Sequence, residues 1–303
     1  MKKVAVLMST YNGGQYLREQ IESVLTQEGD FELNIFVRDD GSSDTTCDIL
    51  QEYQNKNKLI WYQGKNVGPA NSFMDLIYYC GEYDFYVFAD QDDVWDKNKI
   101  NTAITKIENI ETPALYFGNA KLVDKDLNDI KGYVYNNGAP NTNLYTLVCA
   151  GGLLGCTMVL NKVLVDKIKN KQSASQVIMH DYYVAIVCVG LGGKIIYDDN
   201  SYMKYRQHGN NVVGVSYGVL GKIKNRVRRI NEEMKVSIAD QANDILERYE
   251  EDFSIEYIEW LKKVKGYKNS VFKRIGLAFS CKTHYISLNM SITTRMAILL
   301  GNR

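Results

Sequence analysis

The sequence is poor in several features, and each shortage excludes a class of protein. Its 303 residues include three prolines and six cysteines, and no two cysteines form a C-x-x-C pair. Scattered cysteines argue against a disulfide framework or a zinc site and favour a reducing, cytoplasmic location. No apolar run approaches the roughly 20 residues that a transmembrane helix requires. Basic and acidic residues both number 36, so no net charge indicates a nucleic-acid partner.

Charge is nevertheless uneven along the chain. From Gly218 onward there are 16 Lys and Arg against 10 Asp and Glu, and no acid lies between Lys262 and Arg303. A basic C-terminal part of this kind is typical of contact with a membrane or a polyanion. The start of the chain, Met1-Lys2-Lys3, runs directly into a strand-like segment, so we expect no signal peptide.

Short apolar runs alternate with helical patterns in the first hundred residues. The runs cover residues 4–8, 34–37, 59–62 and 85–89, and apolar residues at helical spacing separate them. Continuous apolar runs indicate strands that are buried on both faces. The alternation predicts an α/β fold with a doubly wound sheet and right-handed crossovers.

Polar residues gather at the carboxyl end of each predicted strand. They are residues 9–12, 39–42, 66–68 and 90–93. Ligands bind at this edge of a doubly wound sheet, so four such ends predict a binding crevice. The last end holds Asp90, Asp92 and Asp93, whose carboxylates favour a bound divalent cation. Oxygen ligands of this type suit Mg²⁺ or Mn²⁺, which would also hold substrate phosphates.

Two other nucleotide-binding classes fit the first turn poorly. A dinucleotide dehydrogenase has G-x-G-x-x-G after its first strand, and a P-loop contains G-K-[ST]. Here the turn reads Ser9-Thr10-Tyr11-Asn12-Gly13-Gly14, and no G-K-[ST] occurs in the chain. A nucleotidyltransferase would also use an aspartate-bound metal, but it usually needs a Gly-rich, basic loop at this position.

Seven segments carry a resemblance to a known family. They are Met8-Ser9-Thr10-Tyr11-Asn12, Arg38-Asp39-Asp40-Gly41-Ser42-Ser43-Asp44, Asn66-Val67-Gly68, Asp90-Gln91-Asp92-Asp93-Val94-Trp95, Gly155-Cys156-Thr157-Met158, His180-Asp181-Tyr182-Tyr183 and Tyr205-Arg206-Gln207-His208-Gly209-Asn210-Asn211-Val212-Val213-Gly214. On these segments the chain resembles the family 2 glycosyltransferases of the GT-A fold. Among them it is similar to the bacterial rhamnosyltransferase-like enzymes of cell-surface polysaccharide synthesis.

The resemblance covers about residues 3–215 and implies a domain organisation. It implies a GT-A sheet that is mixed, mostly parallel and flanked by helices, with a C-terminal helical extension. Residues 1–217 would form the catalytic domain, with a nucleotide-binding half (1–100) and an acceptor half (101–217). Residues 218–303 would form the helical region.

The resemblance also assigns roles in holding a nucleotide-sugar donor. It implies that Asp40 accepts the N–H of a pyrimidine ring, that Tyr11 stacks on the base and that Asp90 lies near the ribose. A turn aspartate before a helix is the plain alternative for Asp40. The nucleotide-binding residues implied in this way are Ser9, Thr10, Tyr11, Asp40, Asn66, Gly68 and Asp90.

A metal site is implied at the fourth strand end. Asp92 would bind Mg²⁺ or Mn²⁺, with Asp93 as a further ligand or a supporting group. A neutral His208 could complete the metal's ligands, whereas Arg206 or a protonated His208 could clamp the diphosphate. Residues 210–212 have the composition of a flexible cover that closes on the donor.

Asp181 is the candidate catalytic base. A sugar hydroxyl is too weak an acid to attack unaided, so a carboxylate must take its proton. Asp181 stands in a His-Asp pair where many family members have Glu-Asp, and it opens an apolar helix. The plain alternative is an acid stabilised by the helix dipole. A single base and no second nucleophile imply direct displacement and inversion, through an oxocarbenium-like transition state.

The predicted function is therefore an inverting, metal-dependent glycosyltransferase of bacterial surface polysaccharide synthesis. The donor would be dTDP-rhamnose or a UDP-sugar, with rhamnose favoured and UDP-hexose or UDP-N-acetylhexosamine as alternatives. The acceptor would be a glycan hydroxyl, which a lipid carrier could bear. A non-catalytic module that binds nucleotide sugars or glycans is the alternative from another class.

The C-terminal region leaves two interpretations open. Residues 222–229 are strongly basic, 232–259 are acidic and helical, and apolar residues after 270 alternate with Lys and Arg. Basic amphipathic helices of this kind lie on anionic membrane surfaces, which would make the protein peripheral on the inner face of the cell membrane. The other interpretation is a helical subdomain that packs on the catalytic core or on a second subunit as a homodimer.

Overall fold

The computed structural model describes residues 1–136, 138–208, 235–285 and 287–303. Three sequence predictions fall outside these residues: the flexible cover at 210–212, the basic segment at 222–229 and the domain boundary at 217/218. All three remain predictions. Within the described ranges, no helix is both long and apolar enough to cross a bilayer.

The described residues form nine strands and eleven α-helices. The strands are β1 (Lys2–Thr10), β2 (Phe31–Asp39), β3 (Ile60–Gln63), β4 (Phe85–Ala89), β5 (Val94–Trp95), β6 (Ala114–Val123), β7 (Asp129–Tyr133), β8 (Val159–Asn161) and β9 (Lys194–Arg206). The helices are α1 (Leu17–Leu25), α2 (Thr46–Asn55), α3 (Pro69–Tyr79), α4 (Lys99–Ile107), α5 (Leu144–Ala150), α6 (Lys162–Lys169), α7 (His180–Gly190), α8 (Ile238–Tyr249), α9 (Ile255–Lys265), α10 (Val271–Ala278) and α11 (Leu288–Leu300).

One mixed sheet holds all the strands of the described ranges. Its order is β3-β2-β1-β4-β8-β6-β9-β5, and β7 pairs with β6 outside this path. The strands β3, β2, β1 and β4 are parallel, which confirms the predicted alternation of strands and helices. The second half is mixed, because β8 is antiparallel to both β4 and β6, whereas β6 and β9 are parallel.

The loop after β4 is fixed by a pairing that the sequence did not predict. The short strand β5 follows that loop and pairs antiparallel with the distant β9. The segment Asp90–Asp93 therefore runs between the centre of the sheet and its far edge. Because β9 ends at Arg206, the pairing also brings His208 to this loop.

Helices cover both faces of the sheet and enclose two apolar cores. Successive residues of β1 alternate between them, with Val4 and Val6 in one core and Ala5 and Leu7 in the other. The helices α1, α2 and α4 close the first core. The helices α3, α5, α6 and α7 close the second.

The C-terminal helices share the second core with helices from the preceding part of the chain. Tyr249, Leu261 and Tyr267 are buried in the same apolar cluster as Val184 of α7. Full burial of a side chain of this size contributes about 1.5–3 kcal/mol. The carboxylate of Asp244 also accepts hydrogen bonds from the backbone N–H groups of residues 175 and 176. These contacts favour the packed-subdomain interpretation for α8, α9 and the turn after α9.

Candidate active site

The end of β2 organises the first part of the crevice. Asp39 is fully buried, and its carboxylate accepts hydrogen bonds from Thr10, Gln63 and the backbone and side chain of Ser42. Burial alone would raise the pKa of Asp39, but these hydrogen bonds outweigh it and lower the pKa. Asp39 therefore stays ionised and holds the ends of β1, β2 and β3 together.

Asp40 anchors the loop after β3. Its carboxylate accepts the backbone N–H groups of Val67 at 3.0 Å and Gly68 at 2.8 Å, and it pairs with the buried guanidinium of Arg38. Gly68 has φ of +81°, a backbone conformation that favours glycine. The predicted residues Asp40 and Gly68 thus lie together, with Asn66 exposed beside them. The internal contacts give Asp40 a structural role, and its predicted role in base recognition stays a prediction.

The predicted residues at the end of β1 differ in their exposure. The hydroxyl of Ser9 donates to Ser72 at 2.7 Å, so it is engaged within the protein, as is that of Thr10. The ring of Tyr11 is half exposed. Its backbone N–H donates to the side chain of Gln91 at 2.9 Å, which joins the first and fourth strand ends. Of these residues, Tyr11 offers a free face to a ligand.

The fourth strand end brings a carboxylate and an imidazole together. The Oδ2 atom of Asp92 lies 2.7 Å from Nε2 of His208, although the two residues are far apart in sequence. Both side chains remain slightly exposed, at 13% and 12%. The ring of Tyr16 contacts that of His208 at a centroid distance of 5.0 Å. The structure therefore joins the two residues that the sequence analysis assigned to the metal.

Arg206 is a positioning residue in this arrangement. Its Nε donates to the backbone oxygen of Asp92 at 2.7 Å, and its Nη1 and Nη2 donate to the backbone oxygen of Lys125 and to Glu19. The guanidinium also lies 4.5 Å from the centre of the Tyr16 ring. Because Arg206 is only 2% exposed, these contacts favour a supporting role over a clamp on the diphosphate.

Asp90 and Asp93 lie deeper, in a crowded group of charges. Burial raises the pKa of Asp90 to about 7, and the charge of Asp92 adds to this rise. The pKa of Asp93 is raised well above its usual value by the same two causes. One oxygen of Asp93 accepts the backbone N–H of Arg206 at 3.1 Å, and the other is buried without a hydrogen bond. Asp93 thus supports the end of β9.

Two residues of this group were missed by sequence reasoning. The ammonium of Lys99 is buried, has no hydrogen-bond partner and lies 3.7 Å from the centre of the Trp95 ring. Burial lowers its pKa to about 8, while the nearby side chains of Cys156, Asp93 and Asp90 oppose that change. No pattern in the sequence places Lys99 here. Cys156 lies within one of the seven segments that carry the family resemblance, but the sequence analysis gave it no role.

The donor atoms at this strand end fit a divalent cation. Asp92 and His208 offer an oxygen and a nitrogen at the exposed side, and Asp90, Asp93 and Cys156 offer three further atoms within 4.8 Å of one another. Burial raises the pKa of the Cys156 thiol well above its usual value, so it stays protonated and is a poor ligand. The carboxylates are the donors that Mg²⁺ and Mn²⁺ prefer.

Asp181 is held at the start of α7 by two backbone N–H groups. Its Oδ1 accepts from Tyr182 at 2.8 Å and its Oδ2 accepts from Gly155 at 3.2 Å. Burial raises its pKa to about 7, and the charge of Asp90 adds to the rise. The predicted base and the acidic strand end therefore lie within electrostatic reach of each other. A carboxylate with a pKa near 7 suits proton transfer at neutral pH.

The neighbouring histidine has a packing role. His180 is buried, stacks on Phe73 at a centroid distance of 4.0 Å and has no hydrogen-bond partner. Burial lowers its pKa to about 3, so it is neutral. A Cβ atom on Gly155 would lie 2.7 Å from Nε2 of His180 and 3.3 Å from Cβ of Asp181. Gly155 is therefore required for the close approach that positions Asp181.

Two of the cavities among the described residues have volumes of several hundred Å³. One of about 490 Å³ lies at the amino ends of the central strands, beside Lys2, Asp84 and Asn161, away from the predicted site. The other, of about 380 Å³, lies beside Tyr135, Gly152 and His284. Gly151, in the lining of the second cavity, packs against the ring of Tyr182, which follows Asp181 in the chain.

A mixed sheet with carboxylates at its fourth strand end defines the GT-A class of glycosyltransferases. The sequence profile of Glycosyl transferase family 2 matches residues 5–154. The dTDP-rhamnosyl transferase RfbG of Shigella flexneri is 30% identical over 233 residues, which are 72% of this chain and 77% of RfbG. The chain belongs to glycosyl transferase family 2, which confirms the predicted family.

Solved structures of similar proteins confirm the fold. Staphylococcus aureus TarS 1–349 in complex with UDP-GlcNAc superimposes with a TM-score of 0.52 at 18% identity, covering 97% of this chain and 89% of TarS 1–349. The mannosyltransferase PcManGT of Pyrobaculum calidifontis, in complex with GDP-Man and Mn²⁺, has a TM-score of 0.52 at 13% identity. That alignment covers 99% of this chain and 74% of PcManGT.

The anchoring role of Asp40 gives a prediction on stability. Asp40→Asn removes the charge opposite the buried Arg38 and leaves one of two backbone N–H groups without an acceptor. The free energy of unfolding should fall by about 3–5 kcal/mol, as when a buried ion pair loses one partner. Asp75→Asn is the matched control, because Asp75 contacts the same Arg38 at 3.0 Å but is 53% exposed. It should cost less than about 1 kcal/mol.

Urea unfolding of both variants measures the difference. If Asp40→Asn is as stable as Asp75→Asn but no longer binds nucleotide, the anchoring role is wrong and base recognition accounts for Asp40.

Proposed function

We propose that this glycosyltransferase moves a sugar, with rhamnose favoured, from a nucleotide-diphosphate sugar to a glycan hydroxyl with inversion at the anomeric carbon. One observation carries the proposal. Asp92 lies 2.7 Å from His208, and Asp90 interacts electrostatically with both Asp92 and the buried carboxylate of Asp181. Rhamnose is favoured because RfbG, at 30% identity, is a dTDP-rhamnosyl transferase.

The donor nucleotide would lie across the first three strand ends. Tyr11 presents an exposed ring on which a base can stack, and Asn66 is exposed on the loop that Asp40 anchors. Thymine and uracil both carry a ring N–H, so the site fits dTDP- and UDP-sugars alike. The solved TarS complex contains UDP-GlcNAc, and a UDP-sugar is the alternative donor here.

The diphosphate would lie at the fourth strand end with Mg²⁺ or Mn²⁺. Asp92 and His208 would hold the ion from the exposed side, with Asp90 beneath them. The bound cation supplies Lewis-acid stabilisation of the negative charge that develops on the leaving diphosphate. Arg206 and Asp93 would keep the two ligands in place through their contacts with the backbone of β9 and of residue 92.

Asp181 would take the acceptor's proton during transfer. The acceptor oxygen forms a bond to the anomeric carbon while the bond from that carbon to the diphosphate oxygen breaks, and the hydroxyl proton passes to Asp181. The backbone N–H groups of Tyr182 and Gly155 fix the carboxylate for this step. One displacement without a covalent intermediate inverts the anomeric configuration.

Hydrolysis of dTDP-, UDP- and GDP-sugars without acceptor, with Mg²⁺ or Mn²⁺ and then with excess EDTA, tests the donor and the metal. We expect at least one donor to be hydrolysed and EDTA to abolish turnover. Asp92→Ala should lose metal-dependent donor binding in calorimetry, because it removes a charged ligand. Asp96→Ala is the matched control, since Asp96 is an exposed acid of the same segment.

Full turnover by the wild-type enzyme in excess EDTA would show that the proposed metal requirement is wrong. Donor binding that never leads to hydrolysis or transfer would identify a non-catalytic binding module.

Asp181→Asn should keep donor affinity and lower the rate of transfer by about 10²–10⁴, because the amide cannot accept a proton. Since the pKa of Asp181 is raised to about 7, the wild-type rate should fall as the pH drops through about 7 and the base becomes protonated. This fall in rate at acidic pH should be absent from the residual activity of the variant.

Near-normal transfer by Asp181→Asn would exclude Asp181 as the base. A product with retained anomeric configuration would exclude direct displacement.

We also propose that the C-terminal helices attach the protein to an anionic membrane. Eight large apolar residues of α10, α11 and the turn after α10 are between 39% and 85% exposed and form what we call the tail face: Val271, Phe272, Ile275, Phe279, Leu288, Ile292, Met296 and Leu300. Only Leu277 and Ala278 of α10 are buried. Residues 260–303 contain nine Lys and Arg and no acid.

An anionic lipid surface fits both properties of the tail face. The exposed apolar side chains would enter the boundary of the acyl chains, and each basic residue near the headgroups would contribute about 1 kcal/mol. Such a location would suit a glycan acceptor that is built on a lipid carrier. It would place the protein on the inner face of the cell membrane.

Sedimentation with vesicles tests this attachment. The protein should sediment with phosphatidylglycerol–phosphatidylcholine vesicles at low salt, be released as salt rises, and not bind phosphatidylcholine alone. The variant Val271→Glu/Phe272→Glu should lose binding, because it puts charge on the tail face. The control Ile60→Glu, at an exposed residue of β3, should bind as the wild type does. Absence of vesicle binding, with a dimer mass that the double variant abolishes, would show that a second copy covers this face.

A further inference from the structure

The cavity of about 380 Å³ is built jointly by the catalytic part of the chain and by its tail. Tyr135 and Asn141 contribute from the segment before α5, and Gly152 contributes from the segment after it. His284 and Met290 contribute from the tail. The volume lies within the range of about 300–1,000 Å³ that is usual for ligand sites. The proposed function as argued so far leaves this cavity without a ligand.

Several contacts connect the cavity to Asp181. The hydroxyl of Tyr135 donates to the backbone oxygen of Gly152 at 3.1 Å. Tyr182, the neighbour of Asp181, packs so closely on Gly151 that a Cβ atom there would lie 2.3 Å from its ring. Burial raises the pKa of Tyr135 well above its usual value, and the charge of Asp181 adds to the rise. Gly151 lines the cavity, so the cavity wall is in contact with the residue next to the proposed base.

The chemistry of the lining suits a sugar. The amide of Asn141, the imidazole of His284 and the hydroxyl of Ser287 are polar groups that can bond sugar hydroxyls, and Met290 adds an apolar surface for a C–H face. Within the described ranges, no hydrogen bond or ion pair is made by the ring of His284, which is exposed. By contrast, the lining carries no Lys or Arg that would indicate a phosphate.

We propose that this cavity binds the sugar unit of the acceptor, with the C-terminal tail as one of its walls. The inference rests on the proposed function, because it places the accepting hydroxyl within reach of Asp181. It goes beyond that function by assigning acceptor recognition to His284 and Met290, which lie in the part of the chain that carries no family motif. Residues 134–136, 140 and 141, together with the tail, would select the acceptor.

Ligand-observed NMR titration with methyl glycosides of rhamnose, glucose, galactose and N-acetylglucosamine tests the proposal directly. We expect the wild-type protein to bind at least one of these probes. His284→Ala should weaken its affinity roughly three- to ten-fold through a lost hydrogen bond. Met290→Trp should weaken it more than about ten-fold, because the larger ring fills the cavity. Ile255→Trp, at an 80% exposed residue of the same tail, is the matched control and should bind as the wild type does.

The outcomes separate this proposal from the proposed function. Melting temperatures identify a variant that fails to fold, and His284→Ala keeps the test valid if Met290→Trp does not fold. If the wild type binds none of the probes, or if folded His284→Ala and Met290→Trp bind them as the wild type does, the acceptor assignment is wrong. Donor hydrolysis by the wild-type enzyme reports on the proposed function alone. Asp181→Asn should still bind the glycoside, since it removes the base and not the cavity.

Discussion

The buried guanidinium of Arg206 is the contact on which the rest of the site depends. It joins the backbone of Asp92, the backbone of Lys125 and the carboxylate of Glu19, while the backbone N–H of Arg206 donates to Asp93. A buried guanidinium is costly unless its hydrogen-bonding groups are satisfied, and here Nε, Nη1 and Nη2 each have an acceptor. Because Arg206 ends β9, the same contacts fix His208 two residues later beside Asp92. One side chain therefore joins Asp92 and His208, from two distant parts of the chain, at the proposed metal site.

Crowding of like charges is the second constraint. Asp90, Asp92 and Asp93 lie close enough that burial and mutual repulsion raise the pKa of the two deeper carboxyls. The ammonium of Lys99 offsets part of this negative charge. Burial lowers its pKa to about 8, so Lys99 loses its proton more readily than an exposed lysine does. A cation bound at a site of this kind stabilises it, because the positive charge lowers the free-energy cost of ionising the crowded carboxyl groups. This crowding of carboxyl groups supports the proposal that a divalent cation binds here.

Much of the fold follows from local pattern, whereas the contacts of the site do not. The apolar runs of β1, β2 and β4 and the polar residues behind them were sufficient to predict the crevice and its acidic end. The sequence could not show that the Asp40 carboxylate accepts hydrogen bonds from the backbone N–H groups of residues 67 and 68. Nor could it show that the ammonium of Lys99 lies over the Trp95 ring. Both contacts form only when the chain folds. The pairing of β5 with β9 could not be predicted either, because a strand of two residues is too short to show the alternation of apolar and polar residues that indicates a strand.

Helix α11 contributes residues both to the cavity of about 380 Å³ and to the exposed tail face. Ser287 caps α11 by accepting the N–H of Met290 at 3.2 Å, and both residues line the cavity beside the base. Leu288 and Ile292 lie on another side of the same helix and are exposed on the tail face. A helix turns about 100° per residue, so these two pairs diverge within a single turn. If the tail face rests on lipid, the first turn of α11 places the cavity next to the bilayer surface. A glycan on a lipid carrier would then meet Asp181 without leaving the membrane.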